Sequence, residues 1–238
     1  MKNWLSFLSS IFSLLMFSIV CAAQPLVLAH HDAFDSYYDV TMRNPVCVVW
    51  TLTPDDFKGI LKPSSRHFKV DTQLPPPRIL DKDFRGSGYV RGHVCPAGDR
   101  DTSKRLLKQT YLTSNVCPMT MNTNSGPWKA VEDSCRALAL SHGKIKISAG
   151  PIFMNCNTHQ VCNTHLCNTD SSGKSKLIVP DGFWRIAKCL VHPDEMWIWY
   201  VSNSFVLTSP VRLDLAELQK VLPTAVRNTQ LLRYLGYY

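Results

Sequence analysis

The sequence predicts an α+β fold in which antiparallel strands form a central sheet and helices stand apart from them along the chain. Two observations predict it. Short β-branched and aromatic runs recur between clusters of turn residues, as antiparallel strands do. One long amphipathic helix, framed by a proline before it and a glycine after it, interrupts them near the middle.

Taken in order, the first segment is not expected to belong to the fold. Lys2 precedes an apolar run from Leu5 to Val20, and the small residues Ala22 and Ala23 come next. This is the layout of a secretory signal peptide over residues 1–23, and it predicts a secreted or periplasmic protein. A membrane anchor would want roughly 20 apolar residues without the serines that dilute this run. An anchor on Cys21 would want a smaller residue than Val20. The remaining residues, 24–238, suffice for one domain, with a motif-bearing core at about 38–221 and a cysteine-rich insertion at 155–173.

Val46 to Leu52 reads as a strand. The Pro-, Asp-, Ser- and Gly-rich stretch 62–87 reads as a long irregular connection. The spacing of Trp128, Val131, Cys135 and Leu138 predicts a helix over Trp128 to Leu140, with Pro127 in its first turn and Gly143 past its end. Ile145 to Phe153 begins as a strand and is expected to break at Gly150-Pro151. Lys176 to Val179, Phe183 to Val191 and Met196 to Val201 read as further strands, with turns at Pro180-Asp181-Gly182 and Pro193-Asp194. Asp214 suits the N-cap of a short helix ending at Leu222.

The formal charge of +8 favours polyanionic partners, though many exported proteins are basic for other reasons. Loss of Cys21 with the leader leaves Cys47, Cys95, Cys117, Cys135, Cys156, Cys162, Cys167 and Cys189. An even set in an exported chain reads as disulfides, and a bridge involving Cys95 or Cys117 would brace the segment around His93. His159 and His165 among Cys156, Cys162 and Cys167 suggest zinc. The gaps are wider than structural zinc sites use, which favours disulfides.

Three segments carry the chemistry: Arg91-Gly92-His93, then Ser114-Asn115-Val116 with Pro118, then Asn124 through Trp128 and Glu132 to Arg136. A histidine can accept a proton near neutral pH. An Asn carbonyl, with a carboxylate gripping the ion's waters, is enough for a hard divalent cation. Arginines present a fork of donors to phosphate oxygens. That is the set phosphodiester hydrolysis needs. Each residue also has a plainer reading: Asn124 as a helix cap, Glu132 and Arg136 as an i, i+4 surface pair, Arg91 as a solvated charge, and Trp128 as core.

In this order and spacing, these segments resemble the DNA/RNA non-specific endonucleases, a branch of the ββα-metal (His-Me finger) nucleases. Arg43-Asn44-Pro45, Ser148 to Phe153, and Val179 to Phe183 add weaker matches. The resemblance implies a ββα-metal nuclease fold, with a central antiparallel sheet flanked by helices and the His93 strand facing the Asn124 helix. It implies His93 as general base, Asn124 as the direct protein ligand of the metal, and Glu132 as the acid positioning metal-bound water. Arg91 and Arg136 would engage phosphate, and Asn115 would support the site. The implied cofactor is Mg2+, with Mn2+ as an alternative, and the substrates are DNA and RNA, leaving 5′-phosphate ends. One position departs from the pattern: Val90 stands where the family usually has Asp before the Arg-Gly-His, and Asp83, Asp99 and Asp101 are candidates to compensate. Two other readings compete. One is a nucleic-acid-binding protein that lost catalysis through Val90. The other is a disulfide-rich interaction protein on the same scaffold.

Overall fold

The computed structural model describes residues 26–61, 67–153, 166–169 and 175–222, together with Gly236. The signal-peptide segment and most of the cysteine-rich insertion lie outside the described residues.

The chain opens with β1 (Val27–His30), β2 (Asp35–Asp39) and β3 (Asn44–Leu52), an antiparallel meander. A separate two-stranded ribbon comes after it, β4 (Val90–His93) paired with β5 (Val116–Met119), and α1 (Lys104–Gln109) lies between them in the chain. Two helices come next, α2 (Met121–Ser125) and α3 (Pro127–His142). Then come β6 (Ile145–Ile152), β7 (Leu166–Thr169), β8 (Ser175–Ile178), β9 (Gly182–Cys189), β10 (Met196–Ser202), β11 (Val211–Arg212) and α4 (Leu215–Val221). The main sheet has the order β1-β2-β3-β6-β9-β10-β11, antiparallel throughout, while β7 and β8 pair as a hairpin of their own.

Side chains alternate across the strands and so build a core on each face of the sheet. Val48, Trp50 and Leu52 of β3, Ile145, Ile147 and Ala149 of β6, and Phe183 and Ala187 of β9 pack against Trp128, Val131, Cys135 and Ala139 of α3. Met119 and Cys117 of β5 join the same cluster, which fixes the ribbon to this face. Trp184 and Ile186, the intervening residues of β9, turn to the other face. There they meet Val49 and Cys47, with Leu218 and Leu222 around α4.

The predicted helices match closely. Pro127 opens α3, and Gly143 ends it at φ +78°, a backbone angle that favours glycine. Asp214 caps α4 through a reciprocal box with Glu217. The expected break at Gly150-Pro151 does not occur, because β6 runs through both residues. Its pairing with β3 stops at Ala149, so beyond that point β6 has a ladder only with β9. A proline is tolerated on an edge because no partner there needs its missing N–H. A Cβ on Gly150 would come within 2.2 Å of the Val46 carbonyl oxygen, so glycine lets the two backbones approach.

Candidate active site

The ββα segment assembles around Trp128. Its indole Nε1 donates to the backbone carbonyl of His93 at 2.9 Å, which ties the first turn of α3 to the end of β4. Asn124 lies four residues before this anchor, on α2, and Glu132 lies four residues after it, one turn along α3. The three candidate groups are therefore carried by elements fastened to one another.

His93 is held in an aromatic setting. Tyr111 meets its ring edge-on at 4.8 Å between centroids, and Phe68 packs at 5.0 Å. Its Nε2 is buried and has no hydrogen-bond partner among the described residues. Burial pushes the imidazole down to about 4, so at neutral pH the ring is unprotonated and can accept a proton. Strand pairing sets Gly92 opposite Cys117, and a Cβ on Gly92 would strike the Met119 side chain at 2.2 Å. The Arg-Gly-His spacing thus reflects packing as well as chemistry.

Asn124 does not cap a helix. Thr120 caps α2 by accepting from the Thr123 N–H, and Gly126 is the N-cap of α3. The Asn124 side chain is half-buried and forms no hydrogen bond among the described residues, which leaves its amide oxygen available. The short helix that carries it is pinned from one side. Thr120 Oγ1 donates to the Ser204 carbonyl at 2.6 Å, and the Thr120 N–H donates to Asn203 Oδ1 at 2.9 Å.

Glu132 and Arg136 are not an ordinary surface pair. Their side chains are 15% and 20% exposed, and they belong to a buried network. Arg136 Nε donates to Asp99 Oδ1 at 2.9 Å, and its Nη1 donates to Asp133 Oδ1 at 2.8 Å; Nη2 lies 3.7 Å from Glu132 Oε2. Gly98 makes room for this guanidinium, since a Cβ there would sit 2.9 Å from Nη2. Burial raises the Glu132 carboxyl to about 7, against the opposing pull of Arg185 and Arg136. Arg91 forms an ion pair with Asp81 at 2.5 Å and lies over the rings of Phe84 and Phe68, so it is bound within the protein and not a solvated charge. Asn115 is fully buried. It accepts from the Cys95 N–H at 2.7 Å and donates to the carbonyls of Cys95 and Thr110, which locks the chain just beyond His93.

Val90 packs against the hydrophobic cluster under α3. Two of the three candidate substitutes for the missing Asp hold backbone instead. Asp83 accepts from the Leu80 N–H, and Asp101 accepts from the N–H groups of Lys58 and Gly59. Asp99 is engaged with Arg136 and with Trp50 Nε1 at 3.1 Å.

Sequence reading missed Arg185, a fully buried cation on β9 beside this network, and Asp81. An arginine inside a strand of large apolar residues was itself a signal. A further polar cluster has the composition of a triad: Asp71 Oδ2 lies 2.7 Å from His31 Nε2 and accepts from Ser114 Oγ at 2.5 Å. The serine donates to the carboxylate and not to the imidazole, so the cluster is structural.

No group of three or more His, Cys, Asp or Glu side chains forms a metal site among the described residues. A free amide oxygen on Asn124, a carboxylate on Glu132 with no close hydrogen bond, and an orphaned His93 Nε2 fit a cation that keeps most of its water.

A fold of this shape, with a His strand and an Asn helix locked together over an antiparallel sheet, is that of the ββα-metal nucleases. The family model for DNA/RNA non-specific endonucleases matches residues 21–224, and the chain belongs to that family. Among curated relatives, the human mitochondrial nuclease EXOG is 31% identical over 118 residues, covering 49% of this chain and 32% of its own length. Human mitochondrial endonuclease G is 27% identical over 163 residues, covering 67% and 54%. Mitochondrial nuclease 1 of Schizosaccharomyces pombe is 34% identical over 129 residues, covering 52% and 39%. The chain thus matches about half or less of each relative's length. A crystal structure of an EndoG/EndoGI complex superposes with a TM-score of 0.66 at 21% identity, covering 82% of this chain and 83% of that one.

Two expectations are corrected. The secreted or periplasmic location is overturned by the relatives, which are named as mitochondrial proteins. The disulfide brace at Cys95 or Cys117 is absent: Cys47, Cys95, Cys117, Cys135 and Cys189 are all buried free thiols. The first four pack as small hydrophobes in the sheet and helix cores, and burial pushes the thiols of Cys95 and Cys135 up to about 12. Cys156 and Cys162 lie outside the described residues. Among those residues, no helix is long and apolar enough to cross a membrane.

Proposed function

We propose that the chain, as one nuclease domain from residue 24 onward, is a divalent-metal-dependent endonuclease that hydrolyses DNA and RNA with little sequence preference. One observation carries this reading: His93, whose Nε2 has no hydrogen-bond partner among the described residues, sits on a strand fastened through Trp128 to the helices of Asn124 and Glu132. His93 removes the proton from the attacking water. Asn124 would supply the protein oxygen that holds a Mg2+ or Mn2+ ion, and Glu132 would orient the water around it. The bound ion would neutralise charge on the leaving oxygen. Arg91 and Arg136 bring positive charge toward the phosphate, and Asn115 fixes the backbone behind His93. Contacts to phosphate and metal do not distinguish bases, which supports low sequence preference. The relatives' names and the family description support the same chemistry.

Val90 favours a second reading, nucleic-acid binding without turnover, because it brings an apolar side chain where the family's carboxylate would stand. One assay separates the two. Purified protein is incubated with plasmid and with RNA, with Mg2+ or chelator, alongside His93→Ala. The nuclease reading expects Mg2+-dependent degradation that falls about 10²- to 10⁴-fold in the variant. Retarded but intact plasmid with the unmutated protein would replace it with the second reading.

A further inference from the structure

Arg185 is the least accessible cation among the described residues, at 0% exposure, and it faces the ribbon and α3 while its neighbours Trp184 and Ile186 face α4. Its guanidinium lies 4.1 Å from the centroid of the Trp128 ring and 5.4 Å from that of Trp50. Nη2 donates to the carbonyl of Val94 at 2.9 Å and stands 4.0 Å from Glu132 Oε1. Nε and Nη1 are buried with no hydrogen-bond partner among the described residues.

Packing alone does not account for this residue. A buried cation with unpaired donors is costly, and a large apolar side chain of similar volume would fill the same space more cheaply. What the arginine adds is contact with both arms of the site. It grips the peptide just after His93 and faces the Glu132 carboxylate, and it stacks on the tryptophan that bonds the His93 carbonyl. We propose that Arg185 is a positioning residue that holds the Glu132 carboxylate in register with His93 from inside the sheet. This inference rests on the nuclease reading and on Glu132 acting beside the metal.

The charged groups facing Glu132 are Arg185 from β9, Asp99 from the turn after β4, and Arg136 and Asp133 from α3 itself. Arg136 is already shared with Asp99 and Asp133, whereas Arg185 has no hydrogen bond to any carboxylate among the described residues. Asp99 also feels the Arg185 charge but is held by Arg136 and by Trp50 Nε1, so loss of Arg185 should be felt chiefly at Glu132.

The test is a double-mutant cycle on Mg2+-dependent plasmid cleavage, with Arg185→Met, Glu132→Gln and the pair together, each checked for folding by near-UV circular dichroism. Arg185→Met is expected to lower kcat about 10- to 100-fold, the usual effect of removing a partner behind a metal site, with KM little changed. In the Glu132→Gln background the same change should cost nothing further. Arg185→Lys keeps the charge without the planar stack and should recover part of the loss. It also carries the cycle if the Met variant does not fold. Additive losses, or Arg185→Met at the unmutated kcat, would overturn the inference and leave the nuclease reading standing. An unmutated protein without cleavage would remove both.

Discussion

Strand β9 sends Trp184 and Ile186 to one face of the sheet and Arg185 to the other, and the two faces differ accordingly. Around α4, residues such as Val49, Ile186, Ile198 and Leu218 make an apolar contact whose helix is set by one reciprocal cap. Under α3, Arg185 of the sheet meets Glu132 and Arg136 of the helix and Asp99 of the turn after β4, among Trp50, Trp128 and three thiols. The first face stabilises the fold by apolar burial. The second accepts desolvated charge, which burial makes costly, and couples it to the residues expected to do chemistry. Stability and activity should therefore separate by face.

The largest expected contrast comes from one substitution on each side. Glu132→Gln should lower cleavage about 10- to 100-fold while its urea midpoint at pH 8 stays at or above that of the unmutated protein, because an amide is easier to bury than a carboxylate. Ile186→Ala should do the opposite, costing about 2–5 kcal/mol of unfolding free energy with kcat unchanged in the folded fraction. Equal losses of activity and stability in either variant would erase the distinction.

The pH dependence sharpens it. Glu132 is raised to about 7 and His93 lowered to about 4, so in falling pH the carboxylate is lost before the imidazole charges. The acid limb of kcat/KM should lie at or below about 7, since a bound cation favours the carboxylate, and Glu132→Gln should remove it. For folding without metal the signs oppose. The Glu132 contribution is full below the unfolded carboxyl pKa and is lost as pH rises through about 7. The His93 contribution is full above the unfolded imidazole value and is lost as pH falls toward 4. Urea unfolding of His93→Asn across this range should show less acid destabilisation than the unmutated protein. The smallest effect belongs to the α4 face: Asp214→Ala should cost about 1 kcal/mol and leave cleavage untouched.

The elements that sequence reading placed best were those with strong local chemistry. Pro127, Gly143 and the stripe of Trp128, Val131 and Cys135 specify α3, and Asp214 with Glu217 specifies the start of α4. β2, with the sequence Asp-Ser-Tyr-Tyr-Asp, escaped notice because it becomes a strand through pairing with β1 and β3 and not through apolar alternation. Gly150-Pro151 read as a break because an edge is a property of the sheet and not of the two residues. In the site, the residue types of His93, Asn124 and Glu132 were legible from their spacing. Their electrostatic setting was not, since it depends on Asp99 and Arg185, which arrive from distant positions in the chain. The cysteines misled because an even count says nothing about whether two thiols face each other, and Cys47, Cys95, Cys117, Cys135 and Cys189 lie buried as free thiols.

The proposition that His93 and Asn124 address one cation can be measured without turnover. Mn2+ added in small amounts to isotopically labelled protein should broaden the His93 ring resonances before those of His30 and His142, which lie at other places in the fold. Asn124→Ala should abolish that selective broadening while leaving the spectrum of a folded protein. Broadening that spares His93, or that persists unchanged in Asn124→Ala, would contradict the shared site.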